Sequence, residues 1–241
     1  MKKYNYENFM KEENNYFQTY TKRIEEVNKI LFIIDMNEGF VNCGNMSNKE
    51  YNKLVPEQLK LINIFRNEDQ PVNFILENHT KDSIELKKYP EHCINGTNET
   101  LLIPELLPEQ TKPNTSTYYK NSINGMLNRN LQDNIRSLKN LKYIAIGGVC
   151  ADLCVMDFTL TLLRYLDELN MNTNVIVIKS MIDTYDAPNH DREEWITIAY
   201  KVLTQAGAII VENVEEYKKV VEQLEIKEQQ NKLVRRKKYG K

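Results

Sequence analysis

Apolar residues fall along this chain in compact runs, separated by longer stretches in which they recur at helical spacing. The compact runs are "ILFIIDM" (Ile30–Met36), "VNFIL" (Val72–Leu76), "YIAIGG" (Tyr143–Gly148), "NVIVIK" (Asn174–Lys179) and "AIIV" (Ala208–Val211). "TYYK" (Thr117–Lys120) reads as one more short strand. The run at Ile30 is continuous rather than alternating, the pattern of a strand covered on both faces. Between the runs, "EYNKLVPEQLKLINIFRNE", "NRNLQDNIRSL", "VMDFTLTLLRYL" and "REEWITIAYKVLTQAG" read as helices. Strands alternating with helices predict an α/β fold: a single-domain, doubly wound, mainly parallel sheet flanked by helices. The pattern divides the chain into a helical N-terminal extension (1–29), a main domain (30–212), and a charged C-terminal helix with a basic tail (213–241). The extension carries only scattered apolar points at Phe9, Phe17 and Ile24.

Bulk composition narrows the classes. A length of 241 residues supports one sizeable core. A formal net charge of -2 leaves no basic excess to argue for nucleic acid. The apolar run "ILFII" is far too short for a bilayer, and the N-terminus has no apolar core of a secretory signal. The expectation is a cytoplasmic protein with no membrane partner. Its four cysteines, Cys43, Cys93, Cys150 and Cys154, are then reduced thiols. No C-x2-C pair is present, which argues against a zinc ribbon.

Parallel sheets bind ligands beyond the C-terminal ends of their strands. That rule selects Asp35, the stretch after Leu76, Lys120 and the segment "GGVCADLC" (Gly147–Cys154). Cys154 falls in the first turn of a helix, where backbone N–H groups and the helix dipole favour a thiolate or an oxyanion. Asp35 could take the thiol proton, and Lys120 could stabilise the charge, which makes a nucleophilic set. Taken singly, each residue has a plainer role: a small buried hydrophobe, a cap, a solvated cation. The stretch Glu77–Thr97 holds two of the three histidines, His79 and His92, with Glu77 and Glu85. Imidazole and carboxylate together suit Zn²⁺, Mn²⁺ or Fe²⁺. His190 reads as a surface residue near a helix start, and Trp195 as packing for its own helix.

Taken together and in order, "FIIDMNEGF", "KNSINGM" and "GGVCADLCV" resemble the three signatures of the isochorismatase-like cysteine hydrolases, and within them the nicotinamidases. The resemblance runs from about Ile30 to Glu212. It implies a catalytic triad of Asp35, Lys120 and Cys154, with an oxyanion hole from the N–H groups of Cys150 and Cys154. It implies a cis peptide at Val149–Cys150. It also implies a divalent metal, zinc first and manganese or iron next, held by Glu77, His79, Glu85 and His92. Phe40 and Tyr89 take the positions of aromatics that flank the substrate ring. Two departures stand out: Glu77 replaces an Asp, lengthening the ligand arm, and Ile123 and Met126 replace aromatics of the second signature. The implied reaction is hydrolysis of nicotinamide to nicotinate and ammonia in NAD salvage, by a homo-oligomer acting on a small-molecule amide. Two alternatives stay open: another small amide or ureide as substrate, and a non-catalytic binding protein on the same fold.

Overall fold

The computed structural model describes residues 24–239, with side chains described through Val234. Most of the expected N-terminal helix therefore lies outside the described residues. Six strands form one sheet: β1 (Lys29–Ile34), β2 (Val72–Glu77), β3 (Thr115–Lys120), β4 (Tyr143–Val149), β5 (Asn174–Asp183) and β6 (Ile209–Val211). Their spatial order is β3-β2-β1-β4-β5-β6, and every pairing is parallel. Five longer helices cover the sheet: α1 (Val55–Asn67), α2 (Arg129–Ser137), α3 (Cys154–Glu168), α4 (Arg192–Ala206) and α5 (Val214–Tyr239). No described helix is long and apolar enough to cross a membrane.

The continuous apolar runs are explained by two cores. Leu31 and Ile33 of β1 pack toward α1 and the start of α5. Ile30, Phe32 and Ile34 pack toward α2, α3 and α4. Successive side chains of a strand point to opposite faces, so a strand with helices on both sides must be apolar throughout. α3 follows the same logic at helical spacing, burying Cys154, Val155, Phe158, Leu162 and Leu166.

The structure shifts several predicted boundaries. The stretch from Glu50 is not one helix: Lys49–Leu54 is a 3-10 turn, and α1 begins at Val55 with Pro56 in its first turn. Proline has no N–H to give and a fixed φ, which suits a helix start and not its interior. β5 runs four residues past its apolar stretch, to Asp183, because a register shift between Ile146 and Gly148 lets it stay paired with β4. α4 opens on Asp191, whose side chain accepts from Glu194 N–H, and ends at Gly207 in the left-handed conformation.

Strand order reverses between β1 and β4, and there the connections leave to opposite faces, opening a crevice at the strand ends. Gly148 allows the close approach at this point. It has φ +123°, and a Cβ there would lie 2.0 Å from Ile34 O.

Candidate active site and metal-binding cluster

The first strand ends at Ile34, and Asp35 turns out of it with φ 51°, in the left-handed region that few non-glycine residues occupy. Its N–H still donates to Ile75 O at 2.8 Å, so the turn is pinned to β2. Glu77 and Lys120 are register partners at the ends of β2 and β3. That register brings both side chains to the same place as Asp35. Lys120 Nζ lies 2.9 Å from Asp35 Oδ2, 2.6 Å from Glu77 Oε1 and 3.8 Å from Cys154 Sγ. All four residues are buried.

Two carboxylates, an ammonium and a thiol out of water set one another's protonation. Burial pushes the Asp35 carboxyl up to about 7; Lys120 pulls it down and Glu77 adds to the rise. Burial opposes ionisation of Glu77, but Lys120 and the facing imidazoles hold its carboxyl well below the usual range. Burial also opposes charge on Lys120, but Asp35, Cys154 and Glu77 keep it a firm cation. Burial drives the Cys154 thiol well above its ordinary range, against the pull of Lys120. The lowering expected from its place in a helix start is opposed by desolvation.

The peptide Val149–Cys150 is cis, as the resemblance implies. Around it the loop is tied down: Ala151 N–H donates to Asp183 O at 2.8 Å, and Leu153 and Val155 donate to Cys150 O. Among the described residues, the N–H groups of Cys150 and Cys154 donate to no protein acceptor. They remain available to a substrate oxygen.

Next to this group lies a second one. One ligand atom from each of Glu77, His79, Glu85 and His92 comes within 4.8 Å of the others. His92 Nδ1 donates to Pro90 O at 2.6 Å, which turns its Nε2 toward Glu77 Oε2 at 3.0 Å. Asn121 Oδ1 accepts from Thr80 N–H and sits 3.2 Å from His79 Nδ1, fixing that nitrogen as the donor. His79 Nε2 then faces His92 Nε2 at 3.2 Å and Glu77 Oε1 at 3.5 Å. Lone pairs and carboxylates converging this closely need a proton or a cation between them. Outer partners on Nδ1 with Nε2 turned inward are what a histidine ligand requires. The residues present therefore fit a divalent metal. Glu85 contributes one oxygen, 3.9 Å from His79 Nε2, because its other oxygen accepts from Ile123 N–H at 2.9 Å. Glu77 is shared: one oxygen meets Lys120 and the other meets His92.

A narrow cleft opens onto both groups. It is lined by Phe40, Tyr89, His92, Ile123, Cys150 and Cys154, among others. Phe40 is buried, with its ring 5.4 Å from that of His92, and Tyr89 is half-buried. Of the two substituted aromatic positions, Ile123 lines the cleft while Met126 is fully buried in the core.

Sequence reasoning missed other members. Met46 and Leu153 also line the cleft. Asn37 is fully buried and brackets Glu77, donating to its carbonyl at 3.0 Å and accepting its N–H at 3.3 Å. An asparagine two residues after Asp35 was the available signal. His190 is a correction: it is buried, not on the surface. Its ring stacks between Tyr185 and Trp195, and its Nε2 donates to Asp152 Oδ2 at 2.8 Å.

A buried thiol, carboxylate and ammonium at the switch point of a parallel sheet are the parts of a nucleophilic hydrolase. Comparison with known proteins agrees. Residues 29–212 match the isochorismatase domain family, and the chain belongs to that family. It is 32% identical over 174 residues to Nicotinamidase 1 of Arabidopsis thaliana, spanning 66% of this chain and 71% of that protein. Solved structures share the fold. A nicotinamidase from Bacillus subtilis superposes with TM-score 0.65 at 19% identity, over 77% of this chain and 100% of that one. A pyrazinamidase of Pyrococcus horikoshii in complex with zinc gives 0.62 at 18% identity, over 77% and 99%. The chain is a nicotinamidase-like hydrolase, an amidohydrolase of this family.

Proposed function

We propose that the protein hydrolyses nicotinamide to nicotinate and ammonia through a thioester on Cys154, supplying nicotinate to NAD salvage. The observation that carries this reading is Lys120 Nζ lying within 2.9 Å of Asp35 and 3.8 Å of Cys154 Sγ, beside an imidazole–carboxylate cluster on the same cleft. Asp35, whose carboxyl titrates near 7, takes the proton from Cys154 Sγ. The thiolate attacks the amide carbon and forms a C–S bond. The carbonyl oxygen, now anionic, accepts from the N–H groups of Cys150 and Cys154. Collapse breaks the C–N bond, the nitrogen takes the proton from Asp35, and ammonia leaves. A water then gives a proton to Asp35 and adds to the thioester. The C–S bond breaks, nicotinate departs and the thiol is restored. Lys120 stays an ammonium throughout and offsets the charge that passes between Asp35 and sulfur.

Glu77, His79, Glu85 and His92 would hold the metal, with zinc first among the candidates. Bound there, a divalent cation supplies a Lewis-acid anchor for the pyridine nitrogen. Phe40 and Tyr89 provide faces for a flat ring and exclude water from it. The test is a rapid-quench reaction with nicotinamide followed by peptide mass spectrometry. A nicotinoyl group on the peptide containing Cys154, absent in Cys154→Ala, is the expected result. Ammonia release at an undiminished rate from Cys154→Ala would overturn the mechanism.

A further inference from the structure

The loop carrying Cys150 and Cys154 has a side-chain anchor that the mechanism above does not use. Asp152, midway between the two cysteines, is buried, and both its oxygens are engaged. Thr184, just past the end of β5, donates to Oδ1, and His190 donates from Nε2 to Oδ2 at 2.8 Å. His190 Nδ1 faces Tyr185 O at 3.0 Å. A carbonyl and a carboxylate are both acceptors, so the ring is held between two acceptors at its two nitrogen edges. Its faces are held as tightly as its edges. The Tyr185 ring stacks on one side at 3.8 Å and 12°, and the Trp195 ring on the other at 5.1 Å and 4°. The imidazole cannot turn without losing two hydrogen bonds and two ring contacts.

We infer that His190 is a positioning residue: through Asp152 it fixes the Cys150–Cys154 loop, and with it the two N–H groups and the sulfur that face the cleft. Backbone bonds alone leave that loop tied to its surroundings through Ala151 N–H. The Asp152 carboxylate adds a second tie two residues from each cysteine. Donors that stabilise an oxyanion act over a few tenths of an ångström, so a loosened loop weakens turnover more than ground-state binding. The cleft walls set by Phe40, Tyr89 and His92 belong to other segments and are left in place.

The inference rests on the hydrolase reading for its kinetic arm but has a substrate-independent arm. In His190→Ala, kcat for nicotinamide should fall about tenfold or more with KM changed less than about twofold. His190→Gln, which keeps one donor, should lose less. Combining His190→Ala with Asp152→Ala should cost no more than the worse single change, because both remove one interaction. The chain's single tryptophan, Trp195, reports the stack directly: its emission should change in His190→Ala. Independently of any substrate, the rate at which iodoacetamide labels Cys154, read by peptide mass spectrometry, should change at least about threefold. The exposed Cys43 should label at its original rate. Multiplying effects in the double variant, a change confined to KM, or an unaltered Cys154 labelling rate would each overturn the inference. If the protein releases no ammonia from nicotinamide, the proposed substrate fails and the labelling arm still decides this point. If His190→Ala does not fold, His190→Gln decides it: unchanged kcat and labelling would overturn it.

Discussion

The two flanks of β1 are built on different terms. On the β2–β3 side, Glu77, Lys120, His79 and His92 are buried with charges and lone pairs converging on one another. On the β4–β5 side, Asp152, Thr184 and His190 are equally enclosed, yet every donor there meets an acceptor. His92 and His190 make the contrast sharpest. Both are buried, at 2% and 8% exposure, so burial does not separate them. What separates them is the company around Nε2. His92 Nε2 faces the Glu77 carboxylate and His79 Nε2 together, with Glu85 close by, an arrangement that a cation completes. His190 Nε2 meets the Asp152 carboxylate, whose other oxygen accepts from Thr184. The first flank gathers ionisable groups onto one cleft, the second closes its polar groups on one another, and Asp35 stands between them at the switch point.

Substitutions on the two flanks should differ in kind and in size. Cys154→Ala should lower turnover by about 10⁴-fold or more, as loss of a nucleophile does. It should leave bound metal, read by elemental analysis, unchanged. Lys120→Met should abolish turnover and also lower stability by about 3–5 kcal/mol in chemical denaturation, since it strands two buried carboxylates. A Lys120→Met protein as stable as the original would mean that the first flank is not charge-coupled. His92→Ala should weaken metal binding beyond the roughly 10–100-fold loss typical of an outer-shell partner, measured by competition with a chelating dye. The corresponding loss should not occur in His190→Ala.

The pH profile tests Asp35. A base works only deprotonated, and burial holds this carboxyl up near 7. Turnover should therefore be present above about pH 7 and fall about tenfold per unit below it. A flat profile down to pH 5 would show that Asp35 has an ordinary carboxylate pKa. The smallest expected effect is on Asn37→Ala, which leaves the backbone of Glu77 unpaired. It should cost about 1–3 kcal/mol of stability, with the metal site loosened rather than lost.

Much of the first flank was legible because its residues announce themselves. Asp35, Lys120 and Cys154 stand at or just beyond the ends of apolar runs, and the rule for parallel sheets points to such places. Histidine and carboxylate crowded into Glu77–Thr97 had a chemical reason to be suspected. The contacts themselves were not legible. Glu77 meets Lys120 only because two strands 43 residues apart pair in that register. The second flank was harder still. His190 and Asp152 are 38 residues apart, and a histidine in "DAPNHDREEW" carries the composition of a surface turn. Its burial comes from stacking against Tyr185 and Trp195, which no periodicity encodes. The thiol shows a related limit of local reading: helix position, which favours a thiolate, is local, while the desolvation that opposes it is set by the whole fold.

The most direct test of the account is ammonia release from nicotinamide by the purified protein, before and after a chelator, with metal restored at the end. The account predicts release that the chelator suppresses and a divalent cation recovers. Release that the chelator leaves untouched would contradict the reading of Glu77, His79, Glu85 and His92 as a working metal site, and no release at all would contradict nicotinamide as the substrate.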